Sequence, residues 1–356
     1  MLSDLLSVLS WPLKVLLPLV SPPNTVAQPL PTPEATRSCS PSPPFSRCHS
    51  PPPDDAHSGE DHLPIHPDQL LPVPGASCPF PLPRPSYARR NGQLMQGFLG
   101  NGVWKVEYGG NTVVVKGGPN ITKTEAETTE FVRARTTIPV PKVYGVVHDG
   151  DSTYIYFEFI EGIPLNHLFD EPDPAFVDSI CQQLSQMLDE LHALTAPPGT
   201  AIGSLDGNTF ALSPRQDNTA LRETGLPTTS AALIDYLHSR YLTCENPTEQ
   251  AWREVEAHLD RSAPLVFIHG DIHEANILIV TGQDGCSRIV ALLDWEMAGY
   301  YPEWMEYPAV ERRADACTMA TALMKTVCGR ATGYSDDTVD YEWITEMRGA
   351  LTSFEF

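Results

Sequence analysis

Close cysteine pairs are missing from this chain. Its eight cysteines include no CxxC and no tight spacing, so neither a zinc site nor a disulfide framework is expected, and a reducing, cytoplasmic compartment fits. Basic residues are scarce, 23 Lys+Arg against 45 Asp+Glu. Residues 1–90 are nearly balanced, with seven acids and six bases, so the negative surplus belongs to the remainder. Such a surface repels phosphate backbones and anionic lipid, which argues against a nucleic-acid partner. It would tolerate or attract a cationic small molecule, although acidity also serves solubility alone. Internal repeats are absent, and no histidine follows His273. A clean membrane-spanning run is missing too. Residues 1–20, "MLSDLLSVLSWPLKVLLPLV", come nearest, but Asp4 stands where a signal peptide would carry a base, and Pro12, Lys14 and Pro18 break the run. A soluble chain is therefore preferred over a peripheral membrane anchor.

Proline is in excess, and unevenly so: 21 of the 35 prolines lie within residues 1–85. "PSPPFSRCHSPPPDD" and "LPVPGASCPFPLPRP" have too few regularly spaced apolar residues to build a core, and proline lacks the N–H that helices and ladders need. Residues 1–89 therefore read as a disordered Pro-rich tail. The remaining residues, roughly 265, suffice for one large domain or two lobes.

"VWKVEYGGNTVVVK", residues 103–116, reads as two strands around a turn at Gly109-Gly110-Asn111, with Lys116 ending the second. "ITKTEAETTEFVRART", residues 121–136, is a helix with threonines available as caps. "IPVPKVYGVV" and "STYIYFEFI" are two further β-rich runs, turned at residues 148–151. Together they predict a small antiparallel sheet carrying one helix, an N-lobe over residues 90–163. Beyond it, Phe176, Val177, Ile180, Leu184, Met187, Leu188 and Leu191 recur at helical spacing. Further helical runs are expected around 229–242 and 248–260, with a helical tail from about 309. The fold class is α+β, with a larger helical C-lobe over residues 164–356.

"FIHGDIHEANILIV", residues 267–280, packs two histidines, two acids and an asparagine between apolar runs. Three uses compete: a metal cluster, a nucleotide's metal, or a polar turn. "GDIH" looks like a fragment of a metallophosphoesterase core, but a dinuclear site needs further histidines downstream, and none exists. The sequel is more informative. "NILIV" and "RIVALL" are β-runs separated by the turn-rich "TGQDGCS". Paired as a hairpin, they bring Asp271 and Asn276 at one end beside Asp294 at the other. Hard oxygen ligands, few in number, suit the magnesium of a nucleotide, whose phosphates and water complete the shell.

"HGDIHEAN" followed by "LLDWEMAG" resembles the aminoglycoside phosphotransferase family, whose pattern is roughly HGDxxxxN, a strand, then (I/L)DWExAG. "IPVPKVYG", "YFEFIEG" and "GYYPEW" resemble its large, little-characterised fungal branch. The likeness spans about residues 100–325. It implies a protein-kinase-like two-lobe fold and ATP- and Mg2+-dependent transfer of the γ-phosphate to a hydroxyl of a small molecule. Asp271, in the catalytic loop 267–280, would be the catalytic aspartate. Asn276 and Asp294 would hold the metal, the latter in the segment 292–299. His269 would hold the loop backbone. Lys116 would grip the α- and β-phosphates; its own warrant is that it shares a face with apolar Val114, against an ordinary sheet-edge lysine. Glu125 is the preferred partner of Lys116, although Thr122 offers it a capping box and Glu127 stands in the same relation to Thr124. The backbone of Glu158, Phe159 and Ile160 would meet adenine. His273 and Glu274 are left as solvent-facing loop residues.

The chain also departs from the pattern. It has no GxGxxG; Gly97, Gly100 and Gly102 offer a phosphate-covering loop only around 100–102. The chain ends 62 residues after Asp294, which implies a short C-terminal section and a differently completed substrate pocket. The acceptor is unnamed by any residue, though a cationic, amine-bearing molecule suits the acidic surface. The alternative is a nucleotide-binding pseudokinase or scaffold that acts through protein partners of the Pro-rich tail. The retained Lys116, Asp271, Asn276 and Asp294 argue against it. No Ala-Pro-Glu signature follows "DWEMAG", which argues against a protein substrate.

Overall fold

The computed structural model describes residues 62–98, 100–167, 173–207, 225–243, 247–283 and 285–307, with residues 322, 323 and 326. The chain divides into two compact units, residues 1–63 and 64–356, and all but two of the described residues belong to the second. The expected tail up to residue 61 lies outside the described residues, as does nearly all of the helix expected from about 309.

The small lobe is a five-stranded antiparallel sheet of β1 (Gln93–Phe98), β2 (Asn101–Tyr108), β3 (Asn111–Gly118), β4 (Val143–Asp149) and β5 (Ser152–Glu158), ordered β1-β2-β3-β5-β4. Alternation divides its side chains between two cores. Val106, Val113, Val115, Tyr154 and Tyr156 line the outer face. Val143, Val146, Ile155 and Phe157 line the other, against Ala126 of helix α2 (Lys123–Arg135). Strand β5, between β3 and β4, is buried on both faces.

That outer face is covered by a stretch assigned to the tail from sequence. Residues 64–89 do not trail away. Ile65, Leu82 and Ala88, the last on helix α1 (Pro85–Asn91), join the outer core, while Val73 joins the α2 side. Leu71 N–H donates to Val146 O at 2.8 Å and Ser77 N–H to Val143 O at 3.3 Å, so the segment seals the free edge of β4. The small lobe therefore begins at residue 64 and not at 90. Its prolines do not prevent packing, because an extended edge segment needs only occasional N–H donors, and apolar side chains placed between prolines still reach the sheet.

The large lobe packs around α3 (Pro174–His192). Asp173 caps it by accepting from Ala175 N–H at 2.9 Å, and Pro174 fits the first helical position, where no N–H is needed. Val177, Ile180, Leu184, Leu188 and Leu191 are its buried stripe, each contributing about 1.5–3 kcal/mol through burial. Helices Ser230–Tyr241 and Glu249–Glu256 share this core. Two small sheets complete it: β7 (Leu265–Ile268) with β10 (Gly299–Pro302), and β6 (Ile163–Pro164) with the hairpin β8 (Ile277–Thr281) and β9 (Ser287–Leu292). Among the described residues no helix is long and apolar enough to cross a membrane.

Candidate active site

Strand β7 ends at Ile268 and hands the chain to His269, which is fully buried. Its Nδ1 accepts from Asp271 N–H at 3.2 Å, so the proton of the neutral ring sits on Nε2, which donates to Leu293 O at 3.0 Å. Burial holds its pKa below the usual histidine range, against the carboxylates of Glu306, Asp271 and Asp294. His269 thus ties the loop to the strand that returns beside it. Gly270 follows at φ +77; an added Cβ would stand 2.8 Å from Met297 O. A side chain would meet both the backbone penalty and that contact.

Glu306 completes this anchor. Its carboxylate is fully buried and accepts from His269 N–H at 2.8 Å and Gly270 N–H at 2.7 Å. Sequence reading misses it, because a glutamate among Trp304, Met305 and Tyr307 carries no motif. Glu306→Ala would leave two buried N–H groups without acceptors, at about 1–3 kcal/mol each. A clear fall in Tm is expected from this variant, and a Tm equal to wild type by scanning calorimetry would refute the anchor.

The hairpin then brings the two acidic ends together. Ile277 pairs with Leu292, and Leu293 N–H donates to Asn276 O at 2.9 Å. Asn276 Nδ2 donates to Asp271 O at 3.0 Å and to Asp271 Oδ2 at 3.2 Å. Asp294 has φ 66, left-handed and alone in this among the described non-glycine residues. Such a conformation costs about 1–3 kcal/mol and persists only where the surroundings impose it. Here fully packed Trp295 does so, its indole N–H donating to Leu292 O at 3.1 Å.

Lys116 reaches this place from the small lobe. Its Nζ lies 2.7 Å from Asp294 Oδ1, 2.8 Å from Glu125 Oε2 and 3.2 Å from Glu296 Oε2. Thr122 makes no side-chain cap bond, which leaves Glu125 to Lys116, and Glu127 pairs with Lys123 at 2.7 Å. Glu296 was not among the expected site residues, although it belongs to the same "DWE". Burial opposes the charge on Lys116, but Asp294, Glu125 and Glu296 raise its pKa well above the usual lysine range. Glu296 is itself raised, by Asp294 and then by burial. One ammonium thus faces three carboxylates, a negative surplus that a cation would relieve; Glu125, Asp294 and Glu296 offer oxygens all within 4.8 Å of one another.

This surplus has a pH signature. Burial pushes the Glu125 carboxyl up, Lys116 pulls it back and Asp294 and Glu296 push again, to about 8. A folded-state value above the ordinary 4.5 makes the contribution to stability full below about 4.5 and lost as pH rises through about 8. Tm should therefore decline over that window, and Glu125→Gln should flatten the decline. Identical pH profiles for the two proteins would contradict the shift.

At the junction of the lobes, Glu158 N–H donates to Lys142 O at 2.9 Å, and Lys105 Nζ stands 4.0 Å over the Phe159 ring. Gly100 occupies the tip between β1 and β2, at φ +84. His273 and Glu274 differ from expectation: both are buried. The turn Glu274–Asn276 folds them under the loop, with His273 Nδ1 accepting from Ala275 N–H at 3.1 Å.

A family model described as the phosphotransferase enzyme family, APH, matches residues 99–317, more than half of the chain. The chain belongs to this family. The matched span covers every residue of the site from Lys116 to Glu306. Among solved structures, aminoglycoside phosphotransferase APH(4)-Ia resembles this family member with a TM-score of 0.50 at 14% identity, over 74% of this chain and 84% of that one. Spectinomycin phosphotransferase APH(9)-Ia, solved with ADP and spectinomycin, has a TM-score of 0.41 at 12% identity, over 73% and 79%. At these identities the likeness to APH(4)-Ia speaks for the fold, the two-lobe kinase-like arrangement of a phosphotransferase. Among curated proteins no sequence matches.

Proposed function

We propose that this phosphotransferase moves the γ-phosphate of ATP to a hydroxyl of a small, amine-bearing molecule. The observation that carries the reading is the meeting of Lys116, Glu125 and Asp294, from three separate elements, at the open end of the hairpin that also holds Asp271 and Asn276. When bound with the nucleotide, magnesium would supply positive charge that offsets the charge of the phosphates. Asn276 and Asp294 would hold it; the carboxylate surplus around Lys116 suits that cation. Lys116 would bind the α- and β-phosphates, oriented by Glu125, and the backbone of Glu158 to Ile160 would meet adenine. Asp271 would orient the attacking hydroxyl and accept its proton as the new O–P bond forms and the bond to the departing ADP breaks. An acidic surface favours a cationic acceptor, and the reading assigns the protein to the cytoplasm.

The test is magnesium-dependent ADP release across a panel of amine-bearing alcohols and sugars, with titration calorimetry of magnesium and a non-hydrolysable ATP analogue. Binding that requires magnesium, together with turnover of at least one acceptor, is expected. Absence of nucleotide binding would sink the reading.

A further inference from the structure

We propose that His273 is a positioning residue that fixes the Asp271 carboxylate through a locked ring tautomer, a role that rests on the phosphotransfer reading above. The imidazole is 7% exposed. Its Nδ1 accepts from Ala275 N–H at 3.1 Å, capping the turn Glu274–Asn276. A ring nitrogen that accepts carries no proton, so in the neutral ring the proton sits on Nε2. Nε2 lies 3.4 Å from Asp271 Oδ2. Asn276 Nδ2 donates to that same oxygen at 3.2 Å. Asn276 Nδ2 is the hydrogen-bond donor to this oxygen, and the positive edge of the His273 Nε2–H at 3.4 Å, on the same oxygen, opposes rotation of the carboxylate about its bond to the chain. The His273 contact is at the long end of hydrogen-bond range, and such contacts tighten once substrate closes the site.

Capping alone does not call for histidine. An asparagine at this place would accept from Ala275 N–H equally well. What histidine adds is the second nitrogen, aimed at Asp271. His273 O also accepts from Asn276 N–H at 3.0 Å, so the residue links the loop's cap, its aspartate and its asparagine.

Two substitutions in the full chain separate these uses. His273→Asn keeps the cap and loses the reach to Asp271. His273→Gln carries an amide donor out to the position of Nε2. The probe reaction is magnesium-dependent hydrolysis of ATP without an acceptor, read alongside Tm and the affinity for the ATP analogue. His273→Asn is expected to lower kcat about ten-fold, as loss of orientation does, with KM for ATP, analogue affinity and Tm unchanged; His273→Gln should recover most of that kcat. An Asn variant with wild-type kcat overturns the proposal, and so does a loss of kcat that tracks Tm or that Gln does not rescue. The second readout needs no turnover: nitrogen-15 NMR of histidine-labelled protein should find the Nε2–H tautomer, its signal shifted by Asp271→Asn. An Nδ1–H tautomer overturns the proposal. If the tautomer is found but wild type neither binds the ATP analogue nor releases ADP with water or any acceptor of the panel, it is the phosphotransfer reading that has failed, and the positioning role falls with it.

Discussion

Asp271→Asn is expected to lower magnesium-dependent ADP release by about 10²–10⁴-fold, the usual worth of a positioned general base, while Tm stays close to wild type. The substitution is close in shape, and the loop does not depend on this carboxylate for its course. Glu306 takes the N–H groups of His269 and Gly270, and the His269 ring takes the backbone N–H of Asp271 and donates to Leu293 O, none of which uses the Asp271 carboxylate. Asn276 Nδ2 would find the new amide oxygen where Oδ2 stood, so the link between the two residues survives. Affinity for the ATP analogue should also persist. Turnover within a few-fold of wild type, on whichever acceptor the panel identifies, would remove Asp271 from the chemistry.

The second large effect belongs to Lys116→Met, a change that keeps the length of the side chain and deletes its charge. Analogue affinity should weaken by about 10–100-fold, the loss of one charge-assisted bond of about 1.5–3 kcal/mol. The fold should suffer as well. With the ammonium gone, Glu125, Asp294 and Glu296 face one another without a counter-charge, and stripping one partner from a buried ionic group costs about 3–5 kcal/mol. That cost depends on pH in a defined direction. The Glu125 carboxyl already lies near 8 in the intact cluster, and without Lys116 it holds its proton more tightly still. Toward pH 5 the variant can therefore stand with a neutral Glu125, and most of its stability returns; above pH 8 it cannot. A Tm deficit that is constant across this range would show that Lys116 is held by packing and not by charge.

The candidate residues that the sequence points to share one property: each belongs to a short pattern whose spacing is local. Asp271 and Asn276 sit within one loop, and Asp294 follows at the far end of a hairpin whose two β-runs announce themselves. Lys116 could be read because a lone cation on the face of Val114 is conspicuous. Glu306 and Glu296 were not legible. A buried carboxylate that accepts from two backbone N–H groups is defined by what surrounds it in space. Sequence alone puts His273 and Glu274 in solvent, because polar residues in a polar loop default to the surface. Their burial comes from the tight turn that folds the loop under itself.

The fold shows the same division. The helical lobe followed from the spacing of Ile180, Leu184, Leu188 and Leu191, and the sheet from its alternating β-runs. The packing of residues 64–89 is not legible from composition, which measures the frequency of apolar residues and not their placement. Ile65, Val73 and Leu82 are few, but each is set between prolines where it meets a sheet face, and Ala88 meets one from the helix that Pro85 opens.

That covering segment decides where the protein can be shortened. A fragment begun at residue 90 would keep every residue of the candidate site, yet it would strip the donors at Leu71 and Ser77 from β4 and bare Val106, Tyr154 and Tyr156 to water. An open ladder beside an uncovered apolar face is the usual template for chains to add to one another. Such a fragment would be expected to precipitate during expression, and an inactive preparation of it would report on aggregation and say nothing about catalysis. A fragment begun at residue 64 retains the cover, and its solubility is the fair starting point for any assay of the site.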